Sequence, residues 1–212
     1  MRGYFAGNSK VKFGERLYGG AEPRILEIIL TKGSKVLERR RERCHSALGN
    51  YVALLASHYG HAIFCVRTTD GSKKCGYFYD YWCNYGYNHY MHAGAGDNDD
   101  SYGLVVGTGT KPVEYEDYNL ESKIPHGTGT GYLDYDAVVV EGPVEVNGKY
   151  AINYSRAFYN AADEPITVRE TGIVFAVQGI GKVLLFRDVL DTPVTIDPGV
   201  TSTIRYVITV YV

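Results

Sequence analysis

From Ile166 to Val212 the chain reads as one strand after another. ITVRETGIVFAV, GKVLLFRDVL, TPVTI and STIRYVITVYV alternate apolar with polar residues, and the turn clusters QGIG, DT and DPGVT close them. Successive side chains of a strand point to opposite faces, so a period of two marks half-buried antiparallel strands. No other feature constrains the fold as strongly. Such strands must pack their apolar face on a second layer, and few ionisable groups in them are expected to point inward. The expected fold is mainly β: an antiparallel β-sandwich, jelly-roll-like or Ig-like, with one N-terminal amphipathic α-helix.

The chain has 212 residues, enough for one main core. The division expected is an N-terminal arm, residues 1–23, and a single β-sandwich domain, residues 24–212. The arm is rich in Gly and charge and reads as a segment that orders on contact with a neighbour. It holds no apolar run of signal-peptide length, and no segment of the chain is apolar for long enough to span a bilayer as a helix. Net charge is only −2. A direct nucleic-acid partner is therefore not expected, because counterion release needs a basic surface.

RILEIILTKGSKVLERR reads as a hairpin, with Ile25, Glu27 and Ile29 alternating before the TKGS turn. After it the spacing changes. Leu37, Cys44, Leu48, Val52, Leu55 and Tyr59 fall three, four and seven apart, which predicts a helix over about 38–59. Arg39, Arg40, Arg41 and Arg43 would occupy its first turns and oppose the helix dipole. AIFCVRTT, a DGS turn and KKCGYFYDYW form a second hairpin. GPVEVNGKYAINYSRAFYN is the clearest hairpin, since Asn147 and Gly148 suit a type I′ turn.

Four cysteines, Cys44, Cys65, Cys75 and Cys83, lie within one forty-residue window. Free or buried thiols, one or two disulfides, and a metal site are all compatible with that. Cys65 and Cys75 flank the DGS turn closely enough to face each other, so they are the disulfide candidates. Residues 84–101 form a Tyr/Gly-rich loop in which His89, His92, Asp97, Asp99 and Asp100 are weak metal candidates. DNDDSYG places Tyr102 where a Ca²⁺ loop requires glycine, so no metal and no cofactor is assigned. GTGT (107–110) and HGTGTG (126–131) are not followed by a helix that could meet a phosphate, and they read as turns allowing close backbone approach.

The sequence holds 20 Tyr and 25 Gly. Tyr77, Tyr79, Tyr81, Trp82, Tyr85, Tyr87 and Tyr90 are the densest aromatic run, and they are candidates for an interface or for sugar stacking. No nucleophile elbow surrounds Ser46 or Cys44, and Glu114 with Glu116 is an ordinary strand-edge pair. Catalysis is not expected.

Three blocks in order, YGLVVGTGTKPVEYEDYNLESKIPHGTGTGYLDY, INYSRAFYNAADEPITVRETGIVF and LLFRDVLDTPVTIDPGVTSTIRYVITV, resemble a group of little-characterised virion structural proteins of tailed bacteriophages. The resemblance covers about Tyr102 to Val212. It implies a non-enzymatic, multi-copy component of the capsid surface, neck or tail, made in the host cytoplasm and located in the virion. Its partners would be itself, as a homo-oligomer, and other virion proteins, joined through β-edges and Tyr-rich contacts. A receptor- or glycan-binding module of a virion, meeting a host-surface glycan, is the alternative. A cell-wall hydrolase ranks last.

Overall fold

A computed structural model of the chain describes residues 24–44, 47–60, 64–76, 91–146 and 149–210. The fold is mainly β and antiparallel throughout its named strands. One sheet runs in the order β2 (Lys35–Cys44), β1 (Arg24–Lys32), β12 (Thr201–Val210), β9 (Lys149–Tyr159), with β7 (Asp134–Tyr135) and β8 (Val139–Val146) both on the far side of β9. A second sheet runs β11 (Gly181–Ile196), β10 (Ile166–Val177), β5 (Met91–His92), with β6 (Gly103–Gly107) also on β10. β3 (Phe64–Arg67) and β4 (Lys73–Gly76) form a separate two-stranded hairpin, and α1 spans Gly49–Gly60.

One hydrophobic core is shared by both sheets. Leu26, Ile28 and Leu30 of β1, Ile204 and Tyr206 of β12, and Phe158 of β9 meet Leu104 of β6, Ile173 of β10 and Leu184 of β11. The Tyr154 and Phe175 rings join the sheets edge to face, with centroids 5.8 Å apart. Each such side chain contributes about 1.5–3 kcal/mol by leaving water.

Period two holds for the start of β10 and then stops. Ile166 and Val168 are buried between half-buried neighbours, but from Glu170 to Phe175 every residue is buried. The half-buried expectation fails there because the outer face of this sheet is covered too. Tyr51 of α1 lays its ring on Phe186 at 5.0 Å. Leu120, from the segment after β6, packs so close to Gly172 that a β-carbon there would lie 3.1 Å from Leu120 Cδ2 and 2.7 Å from the Phe186 carbonyl oxygen. The expectation of few inward ionisable groups fails with it, since Glu170, Arg187 and Asp188 are all buried.

The predicted helix over 38–59 is corrected at its start. Residues 35–44 are strand β2, paired with β1 from Lys32↔Lys35 to Arg24↔Cys44, and the helix begins at Gly49. KVLERRRERC carries charge on both of its alternating faces, so the apolar spacing of Leu37 and Cys44 imitated a helical stripe. Their partners decide the outcome: Ile25 to Thr31 of β1 offer a ladder of backbone groups that a helix would leave unpaired. The first hairpin is as expected. So is the Val139–Tyr159 hairpin, in which Val146 faces Lys149, although the Asn147–Gly148 turn itself lies outside the described residues. Within the predicted loop 84–101, Met91 and His92 form the short strand β5 against Val177 and Ala176.

Candidate functional site

Three features can carry function: a polar groove beside α1, two buried arginine staples of which Arg187 holds the segment around that groove, and the two outer edges of the larger sheet.

The groove is set by the segment between β6 and β7. Its anchor is Glu170, fully buried in β10, whose Oε1 accepts from the backbone N–H of Gly109 (3.1 Å) and Ser122 (2.7 Å) while Oε2 accepts from Glu121 N–H (3.1 Å). Gly107 and Gly109 make that approach feasible, because a β-carbon on Gly109 would stand 2.4 Å from Glu170 Oε1. The GTGT turn thus serves close backbone approach, as its sequence suggests. Arg187 of β11, 1% exposed, donates from Nε to Glu170 Oε2 (2.9 Å), from Nη1 to Asp117 Oδ2 (2.7 Å) and from Nη2 to the Lys111 carbonyl (3.0 Å). Glu121 closes the turn by accepting from Thr110 and Lys111 N–H at 2.6 and 2.7 Å, and those two bonds hold its carboxyl below the usual carboxylate range.

What remains is a groove of about 430 Å³ lined by Arg67, Asp70, Glu114, Asp117, Tyr118 and Arg187, beside a second of about 280 Å³ between Gly49, Cys65, Lys73 and Tyr115. Their charges are largely committed to one another. Lys111 Nζ lies 2.9 Å from Glu114 Oε2 and 3.6 Å from Asp117 Oδ1, and the Arg67 guanidinium lies 5.0 Å over the Tyr118 ring. Asp70 accepts from Thr68 Oγ1 (2.5 Å) and Ser72 N–H (2.9 Å), which lowers its pKa. α1 is docked by Asn50, whose Oδ1 accepts from Arg67 N–H and whose Nδ2 donates to the Arg67 and Leu184 carbonyls at 2.9 and 3.1 Å.

Arg156 does on β9 what Arg187 does on β11. It is 1% exposed and donates to the carbonyls of Asp136, Leu104, Gly96 and Asp99, the last three at 3.2, 3.0 and 2.8 Å, while its guanidinium lies 4.7 Å over Tyr135. Tyr135 in turn donates to the Ile124 carbonyl (2.6 Å), and burial pushes its hydroxyl pKa up. Sequence reasoning missed both arginines and Glu170. The available signal was a charge at an inward position inside an apolar strand, in YSRAFY, VLLFRDVL and VRETGI.

The carboxylates suggested for a metal are spent on backbone. Asp97 Oδ1 accepts from Ala137 N–H (2.7 Å), Asp99 Oδ1 from Ser101 N–H and Oγ, and Asp100 Oδ2 from His126 N–H (2.7 Å). Burial works to raise Asp99, but the Ser101 bonds outweigh it and its pKa falls. His92 is exposed and meets the Tyr102 ring edge-on at 5.1 Å. Among the described residues no three His, Cys, Asp or Glu side chains converge as a metal site would require. His89, the aromatic candidates Tyr77, Tyr79, Tyr81, Trp82, Tyr85, Tyr87 and Tyr90, and Cys83 lie outside the described residues. Cys65 and Cys75 oppose each other in the β3–β4 register with Cα atoms 4.1 Å apart, and they are joined as a disulfide.

In the smaller sheet, β11 and β6 each have a segment of the chain bonded along their outer side. Segment 47–50 lies along β11, with Leu48 N–H donating to the Leu185 carbonyl, and Ile124 N–H donates to Val106 of β6. The larger sheet differs. Among the described residues no strand pairs with the outer side of β2 or of β8. β8 is exposed along Val139–Glu145, with Val139 52% and Val140 48% accessible. On β2, Arg39 and Arg41 converge at 3.1 Å on the buried carboxylate of Glu27. Burial is the largest influence on Glu27 and raises its pKa, but Arg41 and Arg39 together outweigh it and hold the group below its ordinary value. Comparison of the chain with protein-family models, with curated proteins and with solved structures returns no match.

Proposed function

We propose that this chain is a non-enzymatic structural protein of a virus particle, which assembles into a multi-copy ring or coat on the capsid, neck or tail of a tailed bacteriophage. The observation that carries the reading is the contrast between the two sheets: segments of the chain itself bond along β11 and β6 of the smaller one, whereas among the described residues no strand pairs with the outer side of β2 or β8 of the larger one, and β8 is lined with uncovered valines. Open, partly apolar edges promote association, and in an assembly protein a neighbour covers them. Two antiparallel sheets around one core support a β-sandwich, in keeping with the resemblance of Tyr102–Val212 to virion proteins. The commitment of Glu170, Asp117, Glu121 and Arg187 to holding loops supports scaffold over turnover.

Mass photometry of the purified full chain, followed by density for it in the intact particle, is the test. Discrete multi-copy species and repeated density are expected; a stable monomer that binds no virion protein sinks the proposal. The exposed Tyr115 ring beside Glu116 and Asp117 favours a second reading, a receptor- or glycan-binding module of a virion. Aromatic rings stack on sugars while carboxylates accept from their hydroxyls. A polysaccharide array probed with wild type and Tyr115→Ala separates the two readings.

A further inference from the structure

We infer that β2 of one copy adds to β8 of the next, extending the larger sheet from subunit to subunit in a head-to-tail contact. This rests on the assembly reading and names the surface that performs it. The two edges lie at opposite ends of the same sheet, and four antiparallel steps separate them, from β2 through β1, β12 and β9 to β8. They therefore run in the same direction. A second copy continuing the sheet would offer its β2 to β8 as a parallel partner, since among the described residues no strand takes the outer backbone groups of either edge; only Pro143, at the bulge of β8, lacks an N–H to donate.

Charge selects this pairing over the alternatives. β2 carries Lys35, Arg39, Arg40, Arg41 and Arg43 against Glu38 and Glu42, whereas β8 carries Glu141 and Glu145 and no base. A two-fold contact of β8 with β8 would bring glutamates together, and one of β2 with β2 would bring arginines together; only the mixed contact is complementary. The order along each strand agrees. Val36 and Leu37, both exposed, follow Lys35 at the start of β2 as Val139 and Val140 open β8, and the arginines of β2 and the glutamates of β8 come after them. The parallel arrangement sets apolar beside apolar and basic beside acidic. A head-to-tail contact of this kind closes into a ring or continues as a filament.

The test is a charge exchange read by mass photometry and light scattering on the full chain, with far-UV circular dichroism as the folding check. One variant is Glu141→Arg with Glu145→Arg. The other is Lys35→Glu with Arg43→Glu, which spares the Glu27 contacts. Each alone is expected to weaken assembly about tenfold or more, as like charges oppose each other, and an equimolar mixture should restore it because every edge then meets its opposite. Val140→Lys must dissociate the assembly as well, which guards against a misfolded charge variant. Assembly of either charge variant at wild-type strength, or failure of the mixture to reassemble, overturns the edge pairing and leaves the multi-copy reading standing. A monomeric wild type overturns both.

Discussion

Replacing Arg187 with Met keeps most of the side-chain volume and removes the cation between Glu170 and Asp117. The loss can be worked from the contacts. Glu170 is fully buried and would keep its three backbone donors, Gly109, Glu121 and Ser122, but lose the guanidinium at 2.9 Å. Asp117 would keep the Glu114 N–H at 2.9 Å and the distant Lys111 ammonium. Breaking a buried pair by removing one partner costs about 3–5 kcal/mol. The three remaining N–H bonds place Arg187→Met at the low end, about 3 kcal/mol. In Glu170→Gln the cation survives with Asp117 still on it, while an amide N–H is turned toward backbone donors, so a loss of about 2 kcal/mol is expected. The double variant should cost less than the sum of the two by roughly 1–3 kcal/mol, the coupling typical of contacting residues. Urea titration followed by circular dichroism gives these values if the slopes stay constant. Hydrogen exchange should show the 108–122 segment loosening first. Lys111→Met, which removes the exposed pair with Glu114 and the longer 3.6 Å approach to Asp117, is the control and should lose under about 1 kcal/mol. An Arg187→Met loss no larger than that control, or strict additivity in the cycle, would refute the staple.

Gly109→Ala should destabilise by about 1–3 kcal/mol, since its β-carbon would meet Glu170 Oε1 at 2.4 Å and Glu121 Cβ at 2.6 Å; Gly96→Ala, with open space around it, should stay within about 0.5 kcal/mol. Glu27 is held below its unfolded value of 4.5, so its contribution is present in full above that pH and is lost as pH falls through the lower folded value; melting temperature against pH should drop less steeply there in Glu27→Gln. Cys65 and Cys75 are both exposed, so a thiol reductant should reach the disulfide. Its reduction, or Cys75→Ser, should release about 3 kcal/mol of closure restraint on a loop of this size, seen as faster exchange in 64–76 while the sheets keep theirs.

The terminal strand series and three of the hairpins were legible because antiparallel pairs of neighbouring strands depend on local signals, alternation and turn residues. β2 was not, because its alternation is between one charged face and another: Arg40 and Glu42 turn toward the strand end of β11, where Glu42 accepts from Asp191 N–H, while Arg39 and Arg41 lie over Glu27. A period of two in hydrophobicity cannot register when both faces are polar. The burial of Glu170 was hidden for a related reason. Its neighbours in sequence are half-buried or small, and the groups that satisfy it come from residues 109, 121 and 122, a separation that no local pattern encodes. The Cys65–Cys75 pairing lay between these cases: the turn brought the two into register, while their oxidation could not be read from spacing.

The arginines of this chain divide by what their surroundings ask of them. Arg156 and Arg187 are buried because a planar fork of five donors can satisfy several carbonyl or carboxylate oxygens at once, so each holds a long loop to a strand where a lysine, a point charge, would leave donors and acceptors unmatched. The β2 arginines instead stay at the margin: Arg39 and Arg41 meet Glu27, and Arg40 meets Glu38, Glu42 and the Thr192 and Pro193 carbonyls. Charge on an edge strand ordinarily discourages another chain from adding to it. It does so by like charge and hydration, and both are relieved when the incoming edge is acidic and presents valines. The cations that keep β2 from pairing with itself are therefore the ones that admit β8, and the same residues set both solubility of the free chain and choice of neighbour.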